Sequence, residues 1–393
     1  MEQINKNLFN NTKLAYITNS NKDLVKSFFI FWTLNNQFFV KIGTILLKVF
    51  LKIKFPIKNM LKKTIFSLFC GGETLRECNK IISSLAKYKI YAMPEYSVEA
   101  ESSYKGFENY KNDSIDLINF LGNQKLPFIA IKCTGLMDIE SLEKISSNNL
   151  SYDSLECKQF EERINELCLV ASKNNVKILI DAEESWIQNA IDSVAIKLMK
   201  IYNKKSPMLF LTHQCYRKGT LSKIKSNLYK AKNGNYYLGV KLVRGAYMEK
   251  ERNRALKNGY DSPIQDTKPN TDKEFDDSVK FCIENLKNLS LWIGSHNEDS
   301  FYRIMSLMIK NNIVKGDKRI WFSQLYGMSD NISFSLANLG YNVVKLIPFG
   351  PIEKTIPYLL RRAKENSSVR GQSSRQFTLV KNEMKRRKIL SLL

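Results

Sequence analysis

The run Val176-Lys177-Ile178-Leu179-Ile180-Asp181-Ala182-Glu183 packs aliphatic residues into a short span and ends abruptly in acids. Its length and Ile-Leu-Ile centre read as a buried strand, and the stretch that follows, Ser185–Tyr202, carries apolar residues at helical spacing. The same alternation extends in both directions. Candidate strands are Lys89–Glu95, Pro127–Thr134, Val176–Glu183, Met208–Tyr216, Tyr237–Tyr247, Leu291–Asn297, Arg319–Gly327 and Val343–Gly350. Helical spacing fills Leu142–Lys173, Ser185–Tyr202, Lys273–Leu289, Ser300–Asn311 and Glu353–Glu365. Strand followed by helix, eight times over, predicts an α/β fold with a parallel sheet, and eight is the number that closes a (βα)8 TIM barrel.

The strand ends point to where chemistry would sit. Polar residues recur there: Glu99 soon after the first strand, then Lys132, Asp181 with Glu183, Gln214, Lys241 with Arg244, His296 with Asn297, and Gln324. Active sites of such barrels are built at the C-terminal ends of the strands. With a period of two, Ile178 and Ile180 fall on the face opposite Asp181, and Ile129 and Ile131 on the face opposite Lys132, so the polar tips are expected to point inward. A single tip would read as a solvated loop residue, whereas recurrence on strand after strand would not. The expected layout is a helical N-terminal region over 1–84, the barrel over 85–368 and a basic C-terminal helix over 369–393, centred on Arg375–Arg387.

Composition narrows the partners. The chain has 393 residues, 44% of them hydrophobic, enough for a large barrel core, and a formal net charge of +23. A surplus of that size attracts anions, but the lysines are spread along the chain, so a solvated basic surface is expected first, contact with an anionic membrane second, and no nucleic acid partner. Seven scattered cysteines without a C-x-x-C pair predict a reducing compartment and no disulfide framework. With only His213 and His296 to supply imidazole, metal catalysis is disfavoured and no metal ligand is assigned. The apolar, aromatic stretch Ser27–Phe50 is interrupted by Asn35, Asn36 and Gln37 and is read as packed helices, with interfacial contact as the alternative.

The segment Val240-Lys241-Leu242-Val243-Arg244-Gly245-Ala246-Tyr247 runs from a buried strand into a tight turn carrying two cations and an aromatic. Gly245 and Ala246 let backbone approach a ligand closely, and Lys241 and Arg244 can meet electron-rich groups. This run, followed by Glu249 and Arg252, resembles the signature of proline dehydrogenases. Further blocks match in the same order: Asp181-Ala182-Glu183-Glu184, His213-Gln214-Cys215-Tyr216, Ser295-His296-Asn297-Glu298, Phe322–Met328, Pro348-Phe349-Gly350-Pro351, and Tyr358–Asn366 with its Arg361-Arg362 pair. Phe69-Cys70-Gly71-Gly72-Glu73-Thr74 is similar to a segment of monofunctional members, so the likeness runs from about residue 66 onward.

The resemblance implies a distorted (βα)8 barrel that holds FAD without a Rossmann fingerprint, and the sequence has no G-x-G-x-x-G. It implies Lys241 near flavin N5, Gln214 on the flavin ring, and Arg244, Gly245, Ala246 and Tyr247 packing the cofactor. Ser295, His296 and Asn297 would contact pyrophosphate or ribose. Thr271, Gln324 and Glu365 would complete the cofactor set. For the substrate it implies Arg361, Arg362 and Lys132 as a clamp on the carboxylate of L-proline, with Glu99 orienting Arg361, Asp181 supporting the pocket and Tyr358 packing over the ring. Without the resemblance, Arg361 and Glu365 would read as a solvated i,i+4 pair. Hydride would pass from proline to FAD, giving pyrroline-5-carboxylate, with electrons going on to a membrane quinone. The expected location is the cytoplasmic face of a bacterial inner membrane, or the mitochondrial inner membrane in a eukaryote. Leu346 stands where many members have Tyr, which leaves proline and hydroxyproline both open. Two other classes are a Schiff-base aldolase using Lys132 and a non-enzymatic anion binder, and neither accounts for the ordered motif set.

Overall fold

A computed structural model describes residues 4–36, 38–43, 45, 58–97, 103–368 and 372–390. All eight expected strands are present: β1 (Ile90–Tyr96), β2 (Phe128–Ile131), β3 (Lys177–Ile180), β4 (Leu209–Gln214), β5 (Leu238–Val243), β6 (Leu289–Gly294), β7 (Ile320–Leu325) and β8 (Val343–Phe349). They form one eight-stranded sheet in the order β1-β8-β7-β6-β5-β4-β3-β2, the (βα)8 barrel. β1 keeps its expected length, shifted by one residue, β6 begins two residues earlier than expected, and β2 to β8 are each one to five residues shorter than their expected runs. Lys132, Asp181, Glu183, Arg244, His296 and Asn297 fall in the loops, whereas Gln214, Lys241 and Gln324 lie within their strands.

One expectation fails. Leu142–Lys173 is two helices, Ile139–Ser146 and Leu155–Lys173, with a polar loop between them. Asn148 adopts a left-handed φ of 60° in that loop, which a helix interior does not tolerate. Ser154 then starts the second helix, its hydroxyl accepting from Cys157 N at 3.2 Å. The helix expected over Lys273–Leu289 begins earlier, at Lys268, where Thr267 caps and Pro269 occupies the first turn, and it stops at Glu284. The basic terminal helix spans Gln372–Arg386.

The chain divides into two compact units, one of residues 1–98 with 324–393, the other of residues 99–323. In the second unit the N-terminal ends of the strands are plugged by aromatics. The Phe128 ring lies 4.8 Å from Trp321 and 6.0 Å from Phe210, both edge-on. Lys177 Nζ sits 5.5 Å from the Phe128 centroid, and burial lowers its pKa. An apolar plug at this end leaves the opposite, C-terminal end for polar side chains. In the first unit, the helix Asn21–Leu34 buries Leu24, Phe31 and Leu34 in a cluster that includes Phe66, Phe69, Leu379 and Met384. All seven cysteines are buried and free.

Candidate active site

The register sets Thr212 of β4, Lys241 of β5 and Trp292 of β6 side by side. Lys241 is 5% exposed, and its Nζ lies 2.5 Å from Asp181 Oδ1 and 5.0 Å from the Trp292 ring centroid. The contact proves that Lys241 and Asp181 face the same side of the sheet, across β4, as the period of two predicts for Asp181. Two buried polar atoms flank this pair without hydrogen-bond partners among the described residues, Thr212 Oγ1 and Trp292 Nε1. Buried polar groups are ordinarily satisfied, so these mark a place for another polar group.

Beyond β4 and β5 the loops are tied together. Gln214 is buried and spent on the chain itself: its Nε2 donates to Glu183 O at 2.7 Å and its Oε1 accepts from Ala246 N at 3.3 Å. Arg244 is gripped on three sides. Its Nε donates to Asp272 Oδ1 at 2.6 Å, Nη1 to Ser295 Oγ at 3.0 Å and Nη2 to Ser300 Oγ at 2.9 Å, while Phe275 stacks 4.3 Å below. The guanidinium and Lys268 hold the Asp272 carboxyl below its ordinary pKa against the opposing effect of its own desolvation. Ser295 Oγ also accepts from Asn297 N at 3.2 Å, and Asn297 caps the helix Glu298–Lys310 by accepting from Ser300 N at 3.0 Å. Gly245 and Ala246 are exposed on this turn, and Tyr247 and His296 are half-buried nearby in the chain.

The remaining expected residues fall as follows. Lys132 follows β2, half-buried, and its N–H donates to Tyr110 Oη at 3.0 Å. Thr271 turns its hydroxyl back on Thr267 O at 3.4 Å. In the other unit, Gln324 is buried and accepts from Ser333 Oγ at 2.7 Å. Tyr358, Arg361 and Arg362 share the helix Ile352–Ser368, with Arg362 Cζ 5.4 Å from the Tyr358 ring centroid. The Nε of Arg361 is buried and has no hydrogen-bond partner among the described residues. Leu346 is buried on β8. Glu99 and the side chain of Glu365 lie outside the described residues.

Of three acids that organise the site, Glu183 reads in the sequence only as a polar strand tip, and Glu251 and Asp272 carry no role there. Glu183 accepts from Thr134 N at 3.1 Å and Thr134 Oγ1 at 2.6 Å, and burial raises its pKa to about 7 against those hydrogen bonds. Glu251, fully buried, accepts from both Ser185 N and Ser185 Oγ at 2.6 Å. It pins the loop after β3 to the helix after β5. Asp272 is the third. The signal available was position alone: Glu183 lies in Asp181-Ala182-Glu183-Glu184 after β3, and Glu251 follows the KLVRGAY run by four residues.

His213 follows Thr212 on β4 and precedes Gln214, and all three border one cavity. That cavity, of about 60 Å³, is also lined by Gln188, Asp192, Arg217 and Lys223, and burial depresses the His213 pKa to about 4. Among the described residues no group of three or more His, Cys, Asp or Glu is arranged to hold a metal ion.

A family model for proline dehydrogenase matches residues 78–375. The chain is 33% identical over 332 residues to the mitochondrial proline dehydrogenase 1 of Caenorhabditis elegans, covering 82% of this chain and 54% of that protein. It is 31% identical over 368 residues to the hydroxyproline dehydrogenase of Xenopus laevis, covering 83% of this chain and 78% of that one. In fold it is similar to proline utilization A from Bdellovibrio bacteriovorus, in a structure inactivated by N-propargylglycine. The TM-score is 0.73 at 22% identity, over 81% of this chain and 34% of that one. The chain thus spans about half the length of the nematode relative and a third of the bacterial one.

Proposed function

Because this chain belongs to the proline dehydrogenase family, we propose that it oxidises L-proline to pyrroline-5-carboxylate with FAD and delivers the electrons to a membrane quinone, opening proline breakdown toward glutamate. The observation that carries this reading is the pair of buried Lys241 and half-buried Asp181, with two polar atoms unsatisfied among the described residues, Thr212 Oγ1 and Trp292 Nε1, beside it. A cation, a hydroxyl and an indole N–H on adjacent strands suit a flat heteroaromatic group with carbonyl and ring-nitrogen acceptors, so the residues fit a flavin. Lys241 would hold the ring region, the Gly245-Ala246 turn would lie against the cofactor, and Arg244 and Asn297 would shape the part that binds the phosphates. When bound, FAD supplies the two-electron acceptor for the C–H bond next to the proline nitrogen.

The chain's own residues then align and shield. Lys241 presents positive charge where negative charge develops during oxidation, and an ion pair with Asp181 fixes its position beforehand. Lys132, Arg361 and Arg362 take the substrate carboxylate, for which paired guanidinium forks are suited. Tyr358 covers the pyrrolidine ring and excludes water. Gln214, held by Glu183 and Ala246, keeps the turn after β5 in register. The reaction would run at a membrane surface, cytoplasmic in a bacterium or on the mitochondrial inner membrane in a eukaryote. The fold supplies a lysine at a strand end for an aldolase as well, but that reaction would leave the paired arginines and the unsatisfied atoms around Lys241 without a role.

The purified chain is expected to be yellow, to release all its colour on acid precipitation, and to bleach on addition of L-proline. It should reduce a soluble quinone analogue and not NAD. A colourless protein trapped by borohydride, or turnover with NAD as sole acceptor, overturns the reading. Hydroxyproline is assayed in parallel, since Leu346 and the Xenopus relative leave both substrates in play.

A further inference from the structure

Outside the site, the first unit presents an apolar face. The helix Asn21–Leu34 buries Leu24, Phe31 and Leu34, but its other side carries Phe29 and Trp32, each 51% exposed. The segment that follows adds Phe38 at 64% and Ile45 at 61% exposed. Phe39 and Ile42 are 38% and 39% exposed, and the aromatics of this segment touch: the Trp32 centroid lies 5.3 Å from Phe39, and Phe39 lies 5.9 Å from Phe38. A continuous aromatic patch in water is costly, and such patches mark surfaces that something covers.

Charge selects what covers it. Between residues 21 and 63 the sequence carries nine lysines and one acid, Asp23. Lys41 and Lys63 are exposed within the described part of that stretch. A second copy docking on the same patch would bring the same excess against itself, because a two-fold contact pairs identical surfaces. An anionic lipid surface complements it: lysines meet the headgroups while Trp and Phe enter the interface. No helix among the described residues is long and apolar enough to cross a bilayer, so the contact would lie along the surface.

We propose that the face formed by Phe29, Trp32, Phe38, Phe39, Ile42 and Ile45 docks the protein on an anionic bilayer. This rests on the proposed delivery of electrons to a membrane quinone and names the surface that would make it possible. Because the side chains are solvent-facing, replacing them removes the membrane contact without opening the core.

The test uses the full chain and vesicles of phosphatidylcholine, alone or with roughly one third phosphatidylglycerol. The wild type should float with the anionic vesicles, less so at high salt. Phe29→Ser/Trp32→Ser/Phe38→Ser should bind them at least about tenfold more weakly, and Lys41→Glu/Lys63→Glu should weaken binding as well. Turnover of proline with a soluble quinone, measured without lipid, should be unchanged in both variants. Binding by the triple variant equal to wild type overturns the proposal, as does a wild type that ignores anionic vesicles. Light scattering that shows a lipid-free wild-type dimer and a monomeric triple variant assigns the face to a second copy instead. Failure of soluble-quinone turnover in the wild type would count against the enzymatic reading alone, since vesicle binding is scored separately.

Discussion

Lys241 Nζ lies 2.5 Å from Asp181 Oδ1, joining the middle of β5 to the end of β3 across β4, with side chains only 7% and 19% exposed. A pair so shielded is costly to break from one side, because the surviving charge keeps its desolvation penalty without its partner. Lys241→Ala should slow flavin bleaching by proline roughly a hundredfold or more, the scale seen when a preorganised donor at a developing charge is lost. Affinity for an unreactive proline analogue should change little. Stopped-flow absorbance and equilibrium titration check this together, and equal losses in both would move Lys241 into the substrate clamp.

Gly245 follows the same strand with φ of 132°, a conformation that side chains rarely adopt, and a Cβ there would fall 1.9 Å from Tyr216 Cδ1. The ring cannot withdraw cheaply: Tyr216 is buried, and its N–H donates to Arg244 O at 2.7 Å. Gly245→Ala should therefore displace the turn, costing about 2–5 kcal/mol from backbone strain and overpacking together. The readouts are urea midpoint and the flavin-to-protein ratio after purification. A variant with wild-type stability and full colour would show the turn to be far softer than its packing.

How much of this was legible follows from which physical forces leave a mark on sequence. Burial does, so Ile178-Leu179-Ile180 and its seven counterparts announced the strands, and Asp181 announced its face. Turn chemistry also does, and Ser146-Ser147-Asn148-Asn149 with Ser154 held the signal that splits Leu142–Lys173, overridden by apolar spacing on either side. Tertiary pairing leaves far less. Glu251 and Ser185 are 66 residues apart, and nothing local says that one buried carboxylate satisfies two donors there. Gln214 and Arg244 were legible as site residues through the family resemblance, yet their hydrogen bonds to Ala246 and Asp272 were not. The exposed face of Phe29 and Trp32 was legible only as the alternative of interfacial contact for Ser27–Phe50, because an aromatic run reads as core whether or not anything covers it.

Glu183 gives the structure a pH signature. Burial raises its pKa from the ordinary 4.5 to about 7, with the Thr134 hydrogen bonds opposing the rise. Between those two values the native chain holds a proton that the unfolded chain has released. Stability contributed by this group is therefore greatest at low pH and falls as pH rises from about 4.5 through about 7, by up to about 3 kcal/mol. Glu183→Gln keeps an acceptor for Thr134 N and cannot ionise, so the difference between wild type and variant should shift in the variant's favour from pH 5 to pH 8. Urea unfolding at both pH values measures that difference. A pH-independent difference would mean that Glu183 is ionised throughout.

Arg362 carries the sharpest prediction about substrate. It is half-buried, its guanidinium carbon 5.4 Å from the Tyr358 ring, and Tyr358 is itself only 9% exposed. Its neighbour Arg361 keeps a buried Nε with no hydrogen-bond partner among the described residues. The Arg361 guanidinium, with that Nε unmet, is held there at a cost that an arriving carboxylate repays, and Arg362 beside it offers a second charge-assisted fork, stronger than neutral hydrogen bonds. Arg362→Met preserves the packing length of the side chain and removes the fork. Proline binding should weaken by roughly 2–5 kcal/mol, because the substrate carboxylate loses its partner in a site already poor in water. The flavin should stay bound, so the purified variant remains yellow and its Tm close to wild type. A surface role for Arg362 predicts something quite different, no more than about 0.5 kcal/mol on any property. Steady-state kinetics with proline and titration with a ring analogue bearing the same carboxylate separate the two. An unchanged inhibition constant for that analogue would return Arg362 to the solvated helix face and leave Lys132 and Arg361 to account for the carboxylate alone.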